Sequence, residues 1–195
     1  MRYSVSELSA LIKDRRTIYP KDHSGRDVHR EVLERILLNA TWAPSHGMTQ
    51  PWRFNVYTGA ARERLSQFLE AEYMRVTPPD KVMPRKLENL TQRPLRSSAV
   101  IGIGMARDPS GRISELDELM AVACAVQNMY LTCTAYGLAG FWATGSILLG
   151  EAMRDHMGLG PEDRSLGLFF VGYPGIEWPK GHRRPLDQVV TWHGE

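Results

Sequence analysis

The stretch from about Ser114 to Tyr136, with its run ELDELMAVACAVQNMYLTCTAY, limits the fold more than any other part of the chain. After an acidic first turn it is apolar on nearly every side at helical spacing, and Gly137 stops it. A helix that is hydrophobic all round must be covered all round, either at the centre of a domain or against another subunit. Gln127 and Asn128 lie within it, so it does not read as a membrane span, and Met120 and Met129 read as core. Cys124 and Cys133 fall in the same pattern without metal-ligand spacing, and we expect both to be small buried residues in a reducing cytoplasm.

A chain of 195 residues fits one compact domain, 1–195, with enough length to bury a sizeable core. Hydrophobic residues at 43% and charged residues at 24% are ordinary for a globular protein, so disorder is not the default. A net charge of +2 is too small for nucleic-acid binding driven by bulk charge. The first residues, MRYSVSELSALIKDRR, lack the apolar run of a signal peptide, so we expect a soluble cytoplasmic protein with no membrane or nucleic-acid partner.

Taken in order, Ser4 or Ser6 can cap a first helix whose Val5, Leu8, Leu11 and Ile12 share one face. It ends in Arg15-Arg16, which has two readings: cations suited to a helix C-terminus, or an oxyanion clamp made with the Thr17 hydroxyl. Asp27 can cap a second helix with Val32, Leu33, Ile36, Leu37 and Ala40 on its buried face. RFNVYTG alternates as a half-buried strand, and a third helix follows over about Ala60 to Tyr73. Val76 to Arg96 carries four prolines among many charges, so we expect a mobile excursion with at most a short helix. AVIGIGMA, Ala99 to Ala106, reads as a fully buried strand. Beyond the long helix come a short strand into a glycine turn at GFWATGS, a short helix from roughly Leu149 to Met157, and a buried strand at SLGLFFVGYP. The last segment concentrates Lys180, His182, Arg183 and Arg184 ahead of a β-prone VVTW; it is either a solvated charge run or a second anion site.

Between the second helix and the first strand lies ATWAPSHGMTQPWRF, Ala40 to Phe54. Pro44 and Pro51 stiffen the backbone there, and Trp42 and Trp52 offer flat apolar faces that suit a planar heterocycle or simply cap the core. Other chemistries fail on spacing. Gly102 and Gly104 invite a dinucleotide fingerprint, but Arg107 stands at the third glycine position and no helix follows directly. No serine sits in a Gly-x-Ser-x-Gly elbow, and the six histidines are scattered without ligand spacing, so we expect neither a serine hydrolase nor a metal site.

Arg15-Arg16-Thr17, Ala43-Pro44-Ser45 through Gln50-Pro51-Trp52, Gly140 to Gly145 and the terminal Arg-Pro-Leu segment, in that order from Leu11 to about Trp192, together resemble the nitroreductase family. The resemblance is closest to its small single-domain NAD(P)H nitroreductases. It implies an α+β fold, with a central mainly antiparallel sheet surrounded by helices, built as an interlocked homodimer with FMN at the subunit interface. By the same resemblance Arg15, Arg16 and Thr17 hold the FMN phosphate and ribityl chain, and Arg183 or Arg184 reaches the phosphate. Trp42, Pro44, Ser45 and His46, with Gln50 nearby, approach the flavin from the partner subunit, while Trp142, Ala143 and Thr144 lie along the ring. The activity implied is oxidation of NADH or NADPH through flavin N5, with a nitroaromatic, quinone or similar electron-poor molecule as acceptor, and no dedicated catalytic side chain. Two positions depart from the pattern: Met48, where many relatives have Asn, and Tyr19, where some larger relatives have a Lys near flavin N1 and O2. A backbone N–H or Arg53 is then the candidate for meeting the reduced ring's negative charge, and a non-enzymatic flavin-binding member is the second reading.

Overall fold

The computed structural model describes residues 2–194. Four strands form one antiparallel sheet in the order β1-β2-β4-β3: β1 is Trp52–Tyr57, β2 Ala99–Met105, β3 Ala139–Ala143 and β4 Arg164–Gly172. The alternation of each strand divides its side chains between two apolar layers. Ile101, Ile103, Met105, Phe169, Val171 and Trp142 face the layer under α2 (Arg30–Ala40) and α5 (Glu115–Ala135). Val100, Leu168, Phe170 and Phe141 face the other layer, which α3 (Ala60–Val76), α4 (Pro84–Arg96) and α6 (Glu151–His156) cover.

β2 is buried along its whole length, as its unbroken apolar run requires. Gly102 and Gly104 fall on its second face. There a methyl group at Gly104 would stand 2.8 Å from Leu159 Cδ1, and one at Gly102 would stand 3.1 Å from Met157 Cε. They admit neighbouring side chains to the sheet, which is why they mimic part of a phosphate-binding fingerprint without being one. Arg107, just beyond the strand, pairs with the fully buried Glu118 of α5, whose other carboxylate oxygen accepts from the Asp108 N–H at 2.7 Å.

α5 presents Ala121, Val122, Ala125, Val126, Met129 and Cys133 to the sheet. Asn39 of α2 ties the two helices: its amide donates to Thr132 Oγ1 at 3.0 Å, and its carbonyl accepts from Asn128 at 3.1 Å. The helix ends at Gly137, φ +65°, where the Leu138 N–H reaches back to the Cys133 carbonyl at 2.8 Å. Its other face is open. Leu116 and Met120 are 64% and 50% exposed, and Cys124 beside them is exposed too, contrary to the core positions expected of Met120 and Cys124. The same holds for α1 (Val5–Asp14): it is capped by Ser4, yet buries no residue, and Val5, Leu8 and Ile12 face outward.

Four further expectations need correction. α2 starts after His29 rather than Asp27, because Val28 is buried and its N–H donates to Ser98 Oγ at 2.7 Å, which holds residues 27–29 extended. α4 is a helix of 13 residues where a mobile excursion was expected. Pro84 occupies its first turn, where a missing N–H costs nothing, and Leu87 and Leu90 pack into the second apolar layer. Tyr73 and Ser66 of α3 clasp it, the one accepting from the Met83 N–H at 2.9 Å and the other donating to the Thr91 carbonyl at 2.8 Å. Val56 on β1 is exposed rather than half-buried, and VVTW forms no strand: a short 3-10 turn, Leu186–Gln188, precedes it and no neighbour pairs with it.

Candidate flavin site

The end of α1 runs directly into the edge of the sheet. Thr17 forms a parallel bridge with Gly140, and the Ile18 N–H donates to the Gly140 carbonyl at 3.2 Å, so the Arg15-Arg16-Thr17 element lies beside β3. The two arginines then part company. Arg16 is spent on the backbone: Nε donates to the Pro179 carbonyl at 2.8 Å, and Nη1 to the carbonyls of Lys13 and Arg15 at 2.5 and 2.7 Å. Gly181 lies flat against its guanidinium, with no room for a side chain. The Arg15 side chain has no hydrogen bond or ion pair to any described residue. Its guanidinium rests over the Tyr130 ring, 5.2 Å from the centroid, a cation–π contact that holds the charge in place and leaves its N–H groups free. Arg15, Arg16, Gln127 and Arg183 line one cavity of about 540 Å³. Arg184 does not line it; the Arg183 side chain does.

Tyr130 also joins this cavity to the strand end expected to lie along the ring. Its hydroxyl accepts from the Trp142 backbone N–H at 2.8 Å, and the Trp142 indole N–H donates to the Leu166 carbonyl at 2.8 Å. Trp142 is therefore fixed, with its one side-chain donor already used. Beyond it, Ala143 is buried and Thr144 exposed, and the chain turns away close over Gly167, φ +101°, where a Cβ would lie 2.1 Å from the Ala143 carbonyl oxygen. Residues Phe141 to Leu148 form one wall of a second cavity of about 530 Å³, mainly apolar at its base. α4 forms the other wall with Arg85, Asn89 and Arg93, one row at i, i+4, i+8. Neither Tyr130 nor this row was singled out in the sequence.

The loop with Trp42, Pro44, Ser45, His46 and Gln50 is elsewhere. It packs at the start of α5, where His46 Nδ1 meets Asp117 Oδ2 at 3.0 Å and holds that carboxyl below its ordinary range, with the Ser114 hydroxyl helping. Ser45 Oγ accepts from the Gln50 N–H at 3.3 Å. Met48 and Gln50 have φ of +54° and +45°, a conformation side chains adopt at a cost and which concentrates at functional loops. Trp42 is 80% exposed. Asp117 and Gln127 are ten residues apart on one helix, so the loop stands about 15 Å along α5 from the arginine cavity. A single chain brings the arginines and the strand end together and leaves the loop apart.

The described residues contain no group of three or more His, Cys, Asp or Glu side chains that could hold a metal ion, and none of their helices is long and apolar enough to cross a membrane.

Arginines at one end of a sheet edge and a mainly apolar wall at the other make a cleft in an α+β fold. Comparison with known proteins places it in a family. The model of the nitroreductase family matches residues 12–173, so this chain belongs to that family. Members of the family are NAD(P)H-dependent flavin oxidoreductases. The chain is 27% identical over 147 residues, 75% of its own length and 78% of the relative's, to YdjA of Escherichia coli (strain K12), which carries the name of an NAD(P)H nitroreductase. Among solved structures it superposes on a nitroreductase-like family protein from Bacillus cereus with a TM-score of 0.82 at 24% identity, covering 100% of this chain and 99% of that one. The FMN-dependent nitroreductase NfnB from Mycobacterium smegmatis, solved with NADPH, gives a TM-score of 0.75 at 18% identity, over 98% and 100%.

Proposed function

We propose that this chain is a single-domain, FMN-dependent NAD(P)H oxidoreductase, working as a homodimer, that reduces nitroaromatic, quinone or similar electron-poor acceptors. The observation that carries the reading is Arg15: a cation with free N–H groups, joined through Tyr130 and the Thr17–Gly140 bridge to the open strand end. A half-buried guanidinium with no anion of its own fits a phosphate, which a guanidinium fork grips with paired charge-assisted bonds. Arg183 completes the anion end, with Arg16 bordering the same cavity while backbone carbonyls and Gly181 hold its guanidinium, and Thr17 sits between that end and the ring wall at Trp142, Ala143 and Thr144.

FMN bound there supplies two-electron hydride chemistry through its N5, which couples oxidation of NADH or NADPH to reduction of the acceptor. The protein's own work would be to hold the phosphate at Arg15 and Arg183 and to position the ring against Trp142, Ala143 and Thr144. Reductant and acceptor use the same face in turn, which makes the kinetics ping-pong. No side-chain acid or base is required.

Two features of the protomer support the homodimer. The exposed apolar faces of α1 and α5 are surfaces a folded chain covers. The Trp42 to Gln50 loop, remote from the arginines within one chain, reaches a second copy's cleft across that covered face. Arg53, tied by Nη1 to the carbonyls of Gln50 and Trp52 at 3.1 and 2.8 Å, travels with that loop.

Titration of apoprotein with FMN tests the anion end. Arg15→Ala removes charge-assisted bonds of roughly 1.5–3 kcal/mol each, so FMN affinity falls at least about tenfold while Tm stays near the parent value. Unchanged affinity would remove the phosphate from this cavity.

A further inference from the structure

The face of α4 turned away from the strand end opens onto a second cleft. This one, about 490 Å³, lies between the helix and the Tyr19–Asp22 turn, and it borders the Phe141–Leu148 cavity, sharing Arg85, Asn89 and Arg93 with it. Four cations, Lys21, Arg85, Arg93 and Arg96, face it against two carboxylates, Asp22 and Glu88. The one ion pair among them is loose, Arg96 to Glu88 at 3.8 Å with both side chains largely exposed. Arg93 stands at the junction. Its guanidinium lies over the Phe141 ring, 5.0 Å from the centroid, no carboxylate or carbonyl of the described residues meets it, and burial pulls its pKa down. A desolvated cation without an anion is costly unless something else brings the negative charge. The helix also spends Pro84 and two apolar side chains on holding this row of cations rigidly in place.

We propose that this cleft receives an anionic group, phosphate or carboxylate, carried by the reductant or acceptor whose reacting part occupies the flavin-facing cavity. The inference rests on the flavin oxidoreductase reading above and names what that site selects. A molecule lying along Phe141 to Leu148 directs its remote end past Arg93 toward Arg85, Arg96 and Lys21. There an anion exchanges water for guanidinium and ammonium donors, and a neutral end gains nothing. The cleft thereby sorts substrates by charge at a distance from the reacting atoms, the kind of remote binding that sets specificity.

The test uses the flavin-loaded protein and the double variant Lys21→Gln/Arg96→Gln. Both residues line the outer cleft and neither lines the Phe141–Leu148 cavity. Calorimetric Kd values are measured for NADP+, NAD+, 4-nitrobenzoate and nitrobenzene, with flavin content followed by absorbance. The expected result is a loss of affinity about tenfold greater for a charged ligand than for nitrobenzene, the size of one lost charge-assisted bond. A loss confined to NADP+ assigns the cleft to the 2′-phosphate. A loss shared by both coenzymes assigns it to their pyrophosphate, and a loss confined to 4-nitrobenzoate assigns it to an acceptor carboxylate. Equal losses for all four ligands, no loss for any, or a fall in flavin content would overturn the proposal. If the parent protein binds these ligands but oxidises neither NADH nor NADPH, the oxidoreductase reading fails, and the ratios of Kd still decide the cleft.

Discussion

Arg15 and Arg16 are neighbours in sequence and have different partners. Arg16 ties the end of α1 to the C-terminal segment at Pro179, while Arg15 keeps its donors free above Tyr130. The sequence leaves the pair open between helix-end cations and an anion clamp, and nothing in it separates the backbone-tied guanidinium from the free one, since that depends on where residues 179–181 return. The same holds for Arg183 against Arg184. His23 shows the opposite case, a residue with no role in the site that still governs behaviour. Neither of its buried ring nitrogens makes a well-formed hydrogen bond, and burial lowers its pKa from the ordinary 6.5 against the opposing pull of the Ile18 backbone and the Asp22 carboxylate. A depressed folded-state pKa means that the unfolded chain takes up a proton first as the pH falls. Stability from this group is therefore complete above about pH 6.5, declines below it, and levels off once the folded pKa is passed. Melting curves from pH 8 to 5 should show Tm falling from about pH 6.5 downward, and His23→Gln should flatten that fall; an unaltered pH profile in the variant would assign it to other groups.

At the scale of elements, periodicity gave reliable signals where one surface governs a segment. β2 reads as a buried strand because both its faces are covered, and α5 reads as a long helix with its stop at Gly137. α4 was hidden because prolines count as breakers, whereas Pro84 opens the helix and Pro94 falls in its last turn. Tyr130 was hidden because one aromatic in an apolar helix has no pattern; its role comes from Arg15 and Trp142, which are distant in sequence. The junction of β2 and α5 depends on one buried carboxylate. Removing Glu118 takes away Arg107's hydrogen-bonded carboxylate, leaving Glu115 as a more distant one, and leaves the Asp108 N–H with no acceptor; breaking a buried pair in this way costs about 3–5 kcal/mol. Glu118→Ala should lower the unfolding free energy in urea by that order. A change below about 1 kcal/mol would show that water replaces the carboxylate at this junction.

For the whole molecule, the outward apolar faces of α1 and α5 are the main feature that one chain leaves unexplained. The sequence required α5 to be covered all round and left two ways of covering it; the fold covers one side with the sheet and leaves Leu116, Met120 and Cys124 exposed. Sedimentation should give about twice the 22.1 kDa chain mass. Met120→Lys places a charge in that face and should shift the protein to monomer and weaken FMN binding with it, because the Trp42 to Gln50 loop is then withdrawn from the cleft. A parent protein that sediments as a monomer would contradict the shared site. The central claim is that the cleft beside β3 holds a working flavin. It is tested most directly by the absorption spectrum of the FMN-loaded protein before and after anaerobic addition of NADPH or NADH. The flavin spectrum should bleach with either coenzyme and return when a nitroaromatic or quinone is added. A spectrum that neither coenzyme changes, or a protein that takes up no FMN, would contradict it.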